Sequence, residues 1–295
     1  MTRSPSAPVR SDDRQLMFGC VASPLRRRKL ESSLRDAAVF RWFNAFVDLR
    51  EALETEITRV IVAVVDMADP TGASAHGFAR TLTESHPGIG VVVYRQARAD
   101  SEADVCLLGA AGVHDILLEG LTDEGYLAKA IVLDACRRGA ADLVMQELKR
   151  ILPVRLIPFA DATVRNPGKG TIALIAKHLN VHRQTPNAWC KKERYLRPEE
   201  LLVWCRLLLV AAMLELTSRT LDSIAIELDY ASATSLRNQL KNYTGMTATQ
   251  IRGAGLSSVI NVFCGRVAQR RAGFGGIIDA PLHSDVIPIR LPNAG

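Results

Sequence analysis

The sequence lacks the features that mark a secreted or membrane-bound protein. Its longest apolar runs, such as residues 207–213, are far shorter than the roughly 20 residues that a membrane-spanning helix needs. Residues 1–14 are polar and contain no apolar leader segment. The six cysteines are scattered without CxxC spacing, and several lie among apolar residues, as reduced thiols do. We therefore expect a protein of the reducing cytoplasm with no membrane contact.

The motifs of most enzymes are also missing. The sequence contains no glycine-rich phosphate loop, no nucleophile elbow and no paired-acid site. His114, His178 and His182 are too widely separated along the chain to suggest a metal cluster. We predict that the protein is not an enzyme and has no catalytic residue, no metal site and no cofactor.

What the sequence does contain is enough apolar material for two ordinary domains. It has 295 residues, and its 48% hydrophobic content can supply a core for each domain. The net charge of +6 and the pI near 9.1 suit a polyanionic partner such as nucleic acid. Because housekeeping enzymes reach similar values, the charge alone does not decide the function.

Strands and helices alternate regularly through residues 15–138. The run Arg59-Val-Ile-Val-Ala-Val-Val-Asp66 is continuous, β-branched and ends in a carboxylate, which is typical of a central strand in a parallel sheet covered on both faces. The alternation predicts a doubly wound α/β domain of five strands and five helices. The predicted strands are residues 15–21, 38–43, 59–66, 89–94 and 113–118, and the predicted helices are residues 24–36, 48–55, 75–85, 101–111 and 122–136.

This half of the chain resembles the receiver domain of bacterial response regulators through two segments, Val64-Val-Asp66-Met-Ala-Asp-Pro70 and Ala111-Gly-Val-His-Asp-Ile-Leu-Leu118. The resemblance implies a flavodoxin-like fold. An active receiver needs two acids after its first strand to hold Mg²⁺, and Ala22 and Ser23 stand at those positions. It also needs a lysine after the fifth strand, where Glu119 would repel a phosphoryl group.

The missing groups make this half a pseudo-receiver. Tyr94 or Arg95 replaces the small hydroxyl residue expected after the fourth strand, and Asp66 is left as a vestigial, inactive phospho-acceptor position. A carboxylate that caps a helix or binds a loop is the favoured role for Asp66, since phosphorylation needs the metal-binding acids. The basic run Arg26-Arg-Arg-Lys29 is interpreted as a solvated helix face in preference to a nucleic-acid contact. We expect the domain to serve dimerisation, protein contact or an unidentified ligand.

The sequence also predicts the boundaries of the remaining segments. Residues 1–14 are predicted to be disordered, and residues 139–152 to form a linker helix that ends at Pro153. Residues 153–252 are predicted to form an all-α domain, and residues 253–295 a tail in which only residues 259–271 have a helical pattern.

Within the all-α domain one local design occurs twice, about 50 residues apart. In each copy a threonine, Thr171 or Thr220, is suited to cap a short amphipathic helix, and a tight turn leads to a second helix. The first copy turns at Asn180, which tolerates the left-handed conformation. The pattern predicts two helix-turn-helix units joined by a helix over residues 198–216, roughly 28 Å long at 1.5 Å per residue.

The outer faces of the two second helices have the residue types that read DNA. Arginine binds guanine edges, asparagine and glutamine bind adenine, alanine and threonine methyl groups suit the thymine methyl, and lysine binds phosphate. The predicted contacts are Arg183, Gln184, Asn187 and Lys191 in the first unit, and Ala233, Thr234, Arg237, Asn238 and Lys241 in the second. Residues 169–252 contain 12 lysines and arginines against seven acidic residues, which supports a DNA interface.

This domain resembles the C-terminal DNA-binding domain of AraC/XylS-type transcription regulators over residues 153–252, most specifically over residues 223–252. The resemblance implies a double helix-turn-helix that binds promoter DNA in the bacterial nucleoid. The sequence departs from the family pattern at Asp229, in place of glycine, at Leu236 and Leu240, in place of phenylalanines, and at Ala248, in place of proline. Homodimerisation through the receiver-like domain and contact with RNA polymerase are further expectations.

Pro186 weakens the case for the first unit, because proline within a helix removes a backbone donor. If the helix begins near residue 183 the cost is small, and if it begins earlier the helix kinks. The second unit is therefore the firmer base reader. Three alternatives stay open: a plain helical core, an enzyme built on the α/β sheet with Asp66, and a protein-interaction scaffold whose reading helices no longer bind DNA.

Overall fold

The computed structural model describes residues 14–56, 60–97, 102–168 and 170–274. Its N-terminal part is a five-stranded parallel sheet with the strand order β2-β1-β3-β4-β5, the flavodoxin-like order, so the predicted fold class is confirmed. The strands are β1 (Gln15–Cys20), β2 (Ala38–Trp42), β3 (Val60–Asp66), β4 (Gly90–Gln96) and β5 (Asp115–Glu119). The helices between and after them are α1 (Pro24–Ser33), α2 (Phe46–Glu56), α3 (Ala75–Ser85), α4 (Glu102–Ala110) and α5 (Gly125–Ile151).

The central strand β3 is buried on both faces, as its unbroken run of apolar residues predicts. Ala63 and Val65 face one hydrophobic cluster, formed with α2, α3 and α4. Val62 and Val64 face the other, formed with α1 and α5. Asp66 therefore reaches the carboxyl edge of the sheet, where doubly wound folds place their sites.

One predicted break does not occur. The sequence predicts separate helices over residues 122–136 and 139–152, but α5 runs without interruption from Gly125 to Ile151. Gly139 permits a close approach to the sheet: a Cβ atom there would lie 2.7 Å from the Gly90 nitrogen and 2.8 Å from the Gly88 oxygen. The hydrophobic core nevertheless changes along this helix, because Cys136 belongs to the cluster of the sheet and Ala140 to the cluster of the helical part.

The C-terminal part is helical and packs around one long helix. A 3-10 turn (Val154–Leu156) leads to α6 (Ile157–Arg165), α7 (Ile172–His178), α8 (Thr185–Lys192), α9 (Pro198–Leu216), α10 (Leu221–Glu227), α11 (Ala233–Thr244) and α12 (Ala248–Phe274). The bounds of α9 are those predicted. Most of its side chains are buried, including Trp204 and Met213. No helix in the described part of the chain is long and apolar enough to cross a membrane.

The predicted tail is partly wrong. Residues 253–274 are helical and belong to α12, which bends at Gly255, where φ is 75°. A carboxylate oxygen of Glu215 accepts a hydrogen bond of 2.6 Å from the Leu256 nitrogen and so caps the helix beyond the bend. Leu256, Val259 and Phe263 then recur at helical spacing and enter the core beside α9. The predictions for residues 1–13 and 275–295 lie outside the described residues.

Replacing Gly139 with alanine should test the packing of α5 on the sheet. The new methyl group would meet backbone atoms that cannot rotate away, so we expect a loss of about 1–3 kcal/mol in the free energy of unfolding, measured by urea denaturation. Gly109→Ala is the matched control: it lies on exposed helix α4 with open space around it, and should be neutral or stabilising by about 0.5–1 kcal/mol. Equal stability of the two variants would contradict the close approach.

Candidate nucleic-acid interface

The two predicted helix-turn-helix units share the same helix cap and the same turn conformation. Thr171 caps α7 by accepting from the Leu174 nitrogen at 3.3 Å, and Thr220 caps α10 by accepting from the Ser223 nitrogen at 3.2 Å. After each helix the chain enters the left-handed region at one residue, Asn180 with φ of 53° and Asp229 with φ of 55°. The short polar side chains of these two types tolerate this conformation, which explains how Asp229 can stand where the AraC/XylS pattern has glycine.

The turns that follow are equivalent as well. The Val181 nitrogen donates to the Ala176 oxygen, and the Tyr230 nitrogen donates to the Ala225 oxygen, each at 2.9 Å. The units differ beyond this point. Ser232 caps α11 through a 3.0 Å hydrogen bond from the Ser235 nitrogen, whereas Gln184 precedes α8 without a side-chain cap.

Pro186 fits the start of α8. This helix begins at Thr185, two residues later than predicted, so the missing proline N–H falls among the first four residues, which have no intrahelical acceptor. The first helical hydrogen bond, from the Ala188 nitrogen to the Gln184 oxygen at 3.1 Å, is intact. Pro186 is buried beneath the helix, as Leu236 is beneath α11. The anomaly in the sequence is thus a tolerated first-turn proline, and the helix does not kink there.

Eight of the nine predicted contact residues lie exposed. In the first unit Arg183 and Gln184 are in the turn before α8, and Asn187 and Lys191 are on the helix itself. In the second unit four exposed residues share the outer face of α11, namely Thr234, Arg237, Asn238 and Lys241. Ala233 is half-buried and packs against the core at the start of the helix, so it presents less surface than predicted.

Sequence reasoning missed the residue that ties the second unit to α9. Arg206 donates from Nη2 to the Leu228 oxygen at 2.7 Å, and its guanidinium lies 4.3 Å from the centre of the Tyr230 ring. The Tyr230 hydroxyl donates in turn to Gln239 on α11 at 2.9 Å. A signal existed, because Arg206 is the single charged residue between Glu200 and Glu215 in an otherwise apolar helix.

The vestigial site of the sheet is filled by an arginine from the predicted solvated run. Arg26 donates from Nη1 to an oxygen of Asp66 at 3.0 Å and from Nη2 to an oxygen of Glu119 at 2.6 Å. The second oxygen of Asp66 accepts from the Ala22 nitrogen at 2.7 Å. The interpretation of the whole run as a solvated face is wrong for Arg26, which is only 15% exposed, because its guanidinium bonds two carboxylates at this edge.

Charges at this edge shift one another. The hydrogen bond from Arg26 lowers the pKa of Glu119 below its ordinary value. Burial raises the pKa of Asp66, against the lowering effects of the Ala22 amide and of Arg26. The Tyr94 hydroxyl donates to Asp123 at 2.5 Å. Asp66 is thus bonded to the loop after β1 and to α1.

A cavity of about 380 Å³ opens beside this cluster and is lined in part by Arg26, Asp66, Tyr94 and Arg95. Within the described ranges no group of three or more histidine, cysteine or acidic residues is placed to hold a metal ion.

Comparison with known proteins agrees with the two-part architecture. A family model described as a helix-turn-helix domain matches residues 175–254, which span both units. A search of curated proteins found no match. Among solved structures, a response regulator receiver domain protein from Clostridium thermocellum is 13% identical, with a TM-score of 0.37 over 42% of this chain and 95% of that chain.

Two longer structures are similar over more of the chain. Full-length FixJ from B. japonicum is 14% identical, with a TM-score of 0.36 over 72% of this chain and 97% of that one. A structure of two RcsB dimers bound to two parallel DNAs is 16% identical, with a TM-score of 0.35 over 64% and 97%. With TM-scores this low, the fold assignment depends on the strand order and on the family match. Residues 175–254 thus match a helix-turn-helix domain, and a doubly wound α/β domain with the flavodoxin-like strand order precedes them in the same chain.

Proposed function

We propose that this protein is a sequence-specific DNA-binding transcription regulator whose two helix-turn-helix units enter the major groove of promoter DNA in the nucleoid. The observation that carries the proposal is the repeated unit itself. Two copies with the same cap, the same left-handed turn residue and the same turn hydrogen bond each hold a second helix whose polar side chains are exposed. A helical core that had no DNA to bind would not require the same turn geometry twice.

The helix between the units suits them to one duplex. Helix α9 has 19 residues, which makes it roughly 28 Å long. Successive major-groove entries on one face of B-DNA are about 34 Å apart. A buried helix of this length fixes the separation of the two units and allows both to meet the same face of the DNA.

The two units contribute differently. Helix α11 has 12 residues and an N-terminal cap, and it displays Thr234, Arg237 and Asn238, which suit base edges. Helix α8 has eight residues. Around it lie exposed cations that suit phosphates: Lys177, Arg183, Lys191, Lys192 and Arg194. We assign base specificity mainly to the second unit and positioning mainly to the first.

Regulation by the receiver-like domain is proposed to be independent of phosphorylation. Arg26 stands between Asp66 and Glu119 and bonds one oxygen of each, while the Ala22 amide bonds the other oxygen of Asp66. Both oxygens of the potential acceptor are therefore engaged by groups of the chain itself. Ala22 and Ser23 stand where an active receiver has the two acids that hold Mg²⁺, so these positions supply no carboxylate for the metal ion that assists phosphoryl transfer.

Homodimerisation through the same domain is also proposed. Several large apolar side chains of α4, of the loop before α5 and of the first turn of α5 are exposed: Val105, Leu107, Leu121, Tyr126 and Leu127. Contact with RNA polymerase remains an expectation from the family resemblance. The rival reading as a protein-interaction scaffold depended on a kink at Pro186, and the position of this proline in the first turn of α8 removes that support.

Arg237→Ala should weaken the specific complex. Loss of a bidentate contact to a base costs about 1–3 kcal/mol, so affinity for a selected duplex should fall about 10- to 100-fold, with little change for mixed-sequence DNA. Mobility shift at fixed salt measures both. The control is Arg80→Ala, which removes the same charge from an exposed site on α3 of the sheet domain. Absence of any DNA binding by the wild-type protein, even at low salt, would refute the proposed function.

The receiver-like domain should not take up a phosphoryl group. Incubation with acetyl phosphate and Mg²⁺, followed by intact-mass measurement, should leave the mass of the wild-type protein and of Asp66→Asn equal to that of each untreated protein. A gain of one phosphoryl group in the wild type that disappears in Asp66→Asn would show that Asp66 is an acceptor.

Arg26→Ala should destabilise the protein most at neutral pH. The pKa of Glu119 is lowered in the folded protein, so its ionised form stabilises the fold above the unfolded pKa, and this stabilisation is lost as the pH falls through the folded pKa. The pKa of Asp66 is raised, so its ionised form opposes folding, and this effect is relieved as the pH falls. Without Arg26 both carboxylates lose their ion-pair partner, so we expect a loss of about 1–3 kcal/mol near pH 7 that becomes smaller as the pH falls and the carboxylates take up protons. Urea denaturation at neutral and at acid pH is the measurement, and Arg28→Ala, an exposed residue of the same helix, is the control. A pH-independent loss would contradict the pairing.

A further inference from the structure

The receiver-like domain contacts the second helix-turn-helix unit through one acidic residue. Glu227, the last residue of α10, lies between two arginines. One of its oxygens is 3.8 Å from Arg137 Nε on α5, and the other forms a close ion pair with Arg219 Nη1 in the loop before α10. All three side chains are largely buried, with exposures of 17–22%. Ion pairs in such sites are less screened by salt than those on an open surface.

Arg137 is held firmly on the side of the sheet domain. Its Nε and Nη2 donate to one oxygen of Asp134 at 3.0 and 2.6 Å, and its Nη1 donates to the Arg165 oxygen at 3.2 Å. Because α5 continues from the sheet without a break, the backbone of Arg137 moves with the sheet domain, and its guanidinium is held between Asp134 and the end of α6.

The other side of the contact is equally fixed. Arg219 donates to the Ser223 hydroxyl within α10 at 2.9 and 3.2 Å, and Arg252 donates to the carbonyl oxygens of Thr217 and Arg219. Gln15, at the start of β1, donates to the Ser218 hydroxyl at 2.8 Å. The loop that enters the second unit is therefore bonded directly to the sheet domain, beside Glu227.

The first unit has no equivalent acid. By the spacing of the turn residues Asn180 and Asp229, the position of Glu227 corresponds to His178, which is exposed. The contact between Glu227 and Arg137 is thus a feature of the second unit that the first unit does not share. Since α10 packs directly on α11, a change in the orientation of α10 moves the helix that carries Arg237.

We propose that Glu227 is a positioning residue through which the receiver-like domain fixes the angle of the second reading helix. The inference rests on the proposed function in DNA binding, and it gives the receiver-like domain a role in DNA recognition without DNA contact. Preorganisation of a binding surface raises affinity by removing the cost of ordering it during binding. It also sets which spacing of DNA contacts the two units accept together.

The sign of the charge change makes the proposal testable. Removing a negative charge from a DNA-binding domain should strengthen its binding to a polyanion. Glu227→Gln should do the opposite, because it releases the second unit from Arg137. Asp222→Asn is the matched control: it removes the same charge from an exposed position on the same helix.

The experiment uses the full chain and a duplex that the wild-type protein enriches from a random-sequence pool. Nuclease footprinting of the wild-type protein on this duplex defines the two DNA segments that it protects. A second duplex has one base pair inserted between these two segments. We expect Glu227→Gln to bind the first duplex about three- to tenfold more weakly than the wild type does and to discriminate less between the two duplexes. Asp222→Asn should keep the discrimination and bind equally well or more tightly.

Arg137→Gln removes the other partner of the contact, on the sheet-domain side. It tests the same contact if Glu227→Gln fails to fold. It should reduce discrimination in the same way, whereas Arg150→Gln, an exposed arginine of the same helix, should not. In the Arg137→Gln/Glu227→Gln double variant the two effects should not add.

Two results would overturn the inference: Glu227→Gln behaving like Asp222→Asn, or a loss of affinity that is equal for both duplexes, which is the mark of a merely less stable protein. Failure of the wild type to enrich any duplex would instead refute the proposed function and is thereby distinguished.

Discussion

The burial of α9 is the constraint on which the rest of the helical domain depends. This helix is apolar almost all round, and its long side chains, from Leu201 to Leu214, are covered by α5, α6, α12 and the two helix-turn-helix units. Full burial of a leucine or methionine side chain stabilises by about 1.5–3 kcal/mol, so no other element contributes as much to this core. The units themselves are short helices with few core residues, and they keep their geometry because each is seated on α9.

Polar contacts then fix the orientation of the second helix-turn-helix unit on α9. Hydrophobic burial is not directional, so it holds a helix in place without fixing its rotation. Arg206 supplies direction for the turn of the second unit, and the Glu227 contact with Arg137 supplies it for the preceding helix. Both arginines project from long helices whose positions the core has already set. The orientation of the second helix-turn-helix unit is thereby linked to the packing of α5 and α9.

A similar internal pairing organises the carboxyl edge of the sheet. Asp66 and Glu119 end strands β3 and β5, and Arg26 of α1 donates to one oxygen of each. The cation that bonds both carboxylates is therefore a side chain of the protein itself.

Much of this architecture could be predicted from the sequence, because it depends on local patterns. The continuous β-branched run before Asp66, the alternation of strands and helices, the bounds of α9, the two threonine caps and the left-handed turn at Asn180 follow from residue type and spacing alone. Two predicted boundaries, before residue 139 and before residue 253, fall inside helices of the structure. Gly139 lies inside a helix because it lets that helix cross the sheet closely, and Gly255 bends α12 without ending it.

What only the tertiary structure decided are the pairings between residues far apart in the chain. The sequence by itself determined that Arg26 belongs to a basic run and that Pro186 stands near the start of a helix. It could not say that Arg26 reaches Asp66 and Glu119, that Pro186 is buried in the first turn of α8, or that Glu227 faces Arg137. Local propensity depends on neighbours within a few residues, whereas the partner of a charge is set by which surfaces the core brings together.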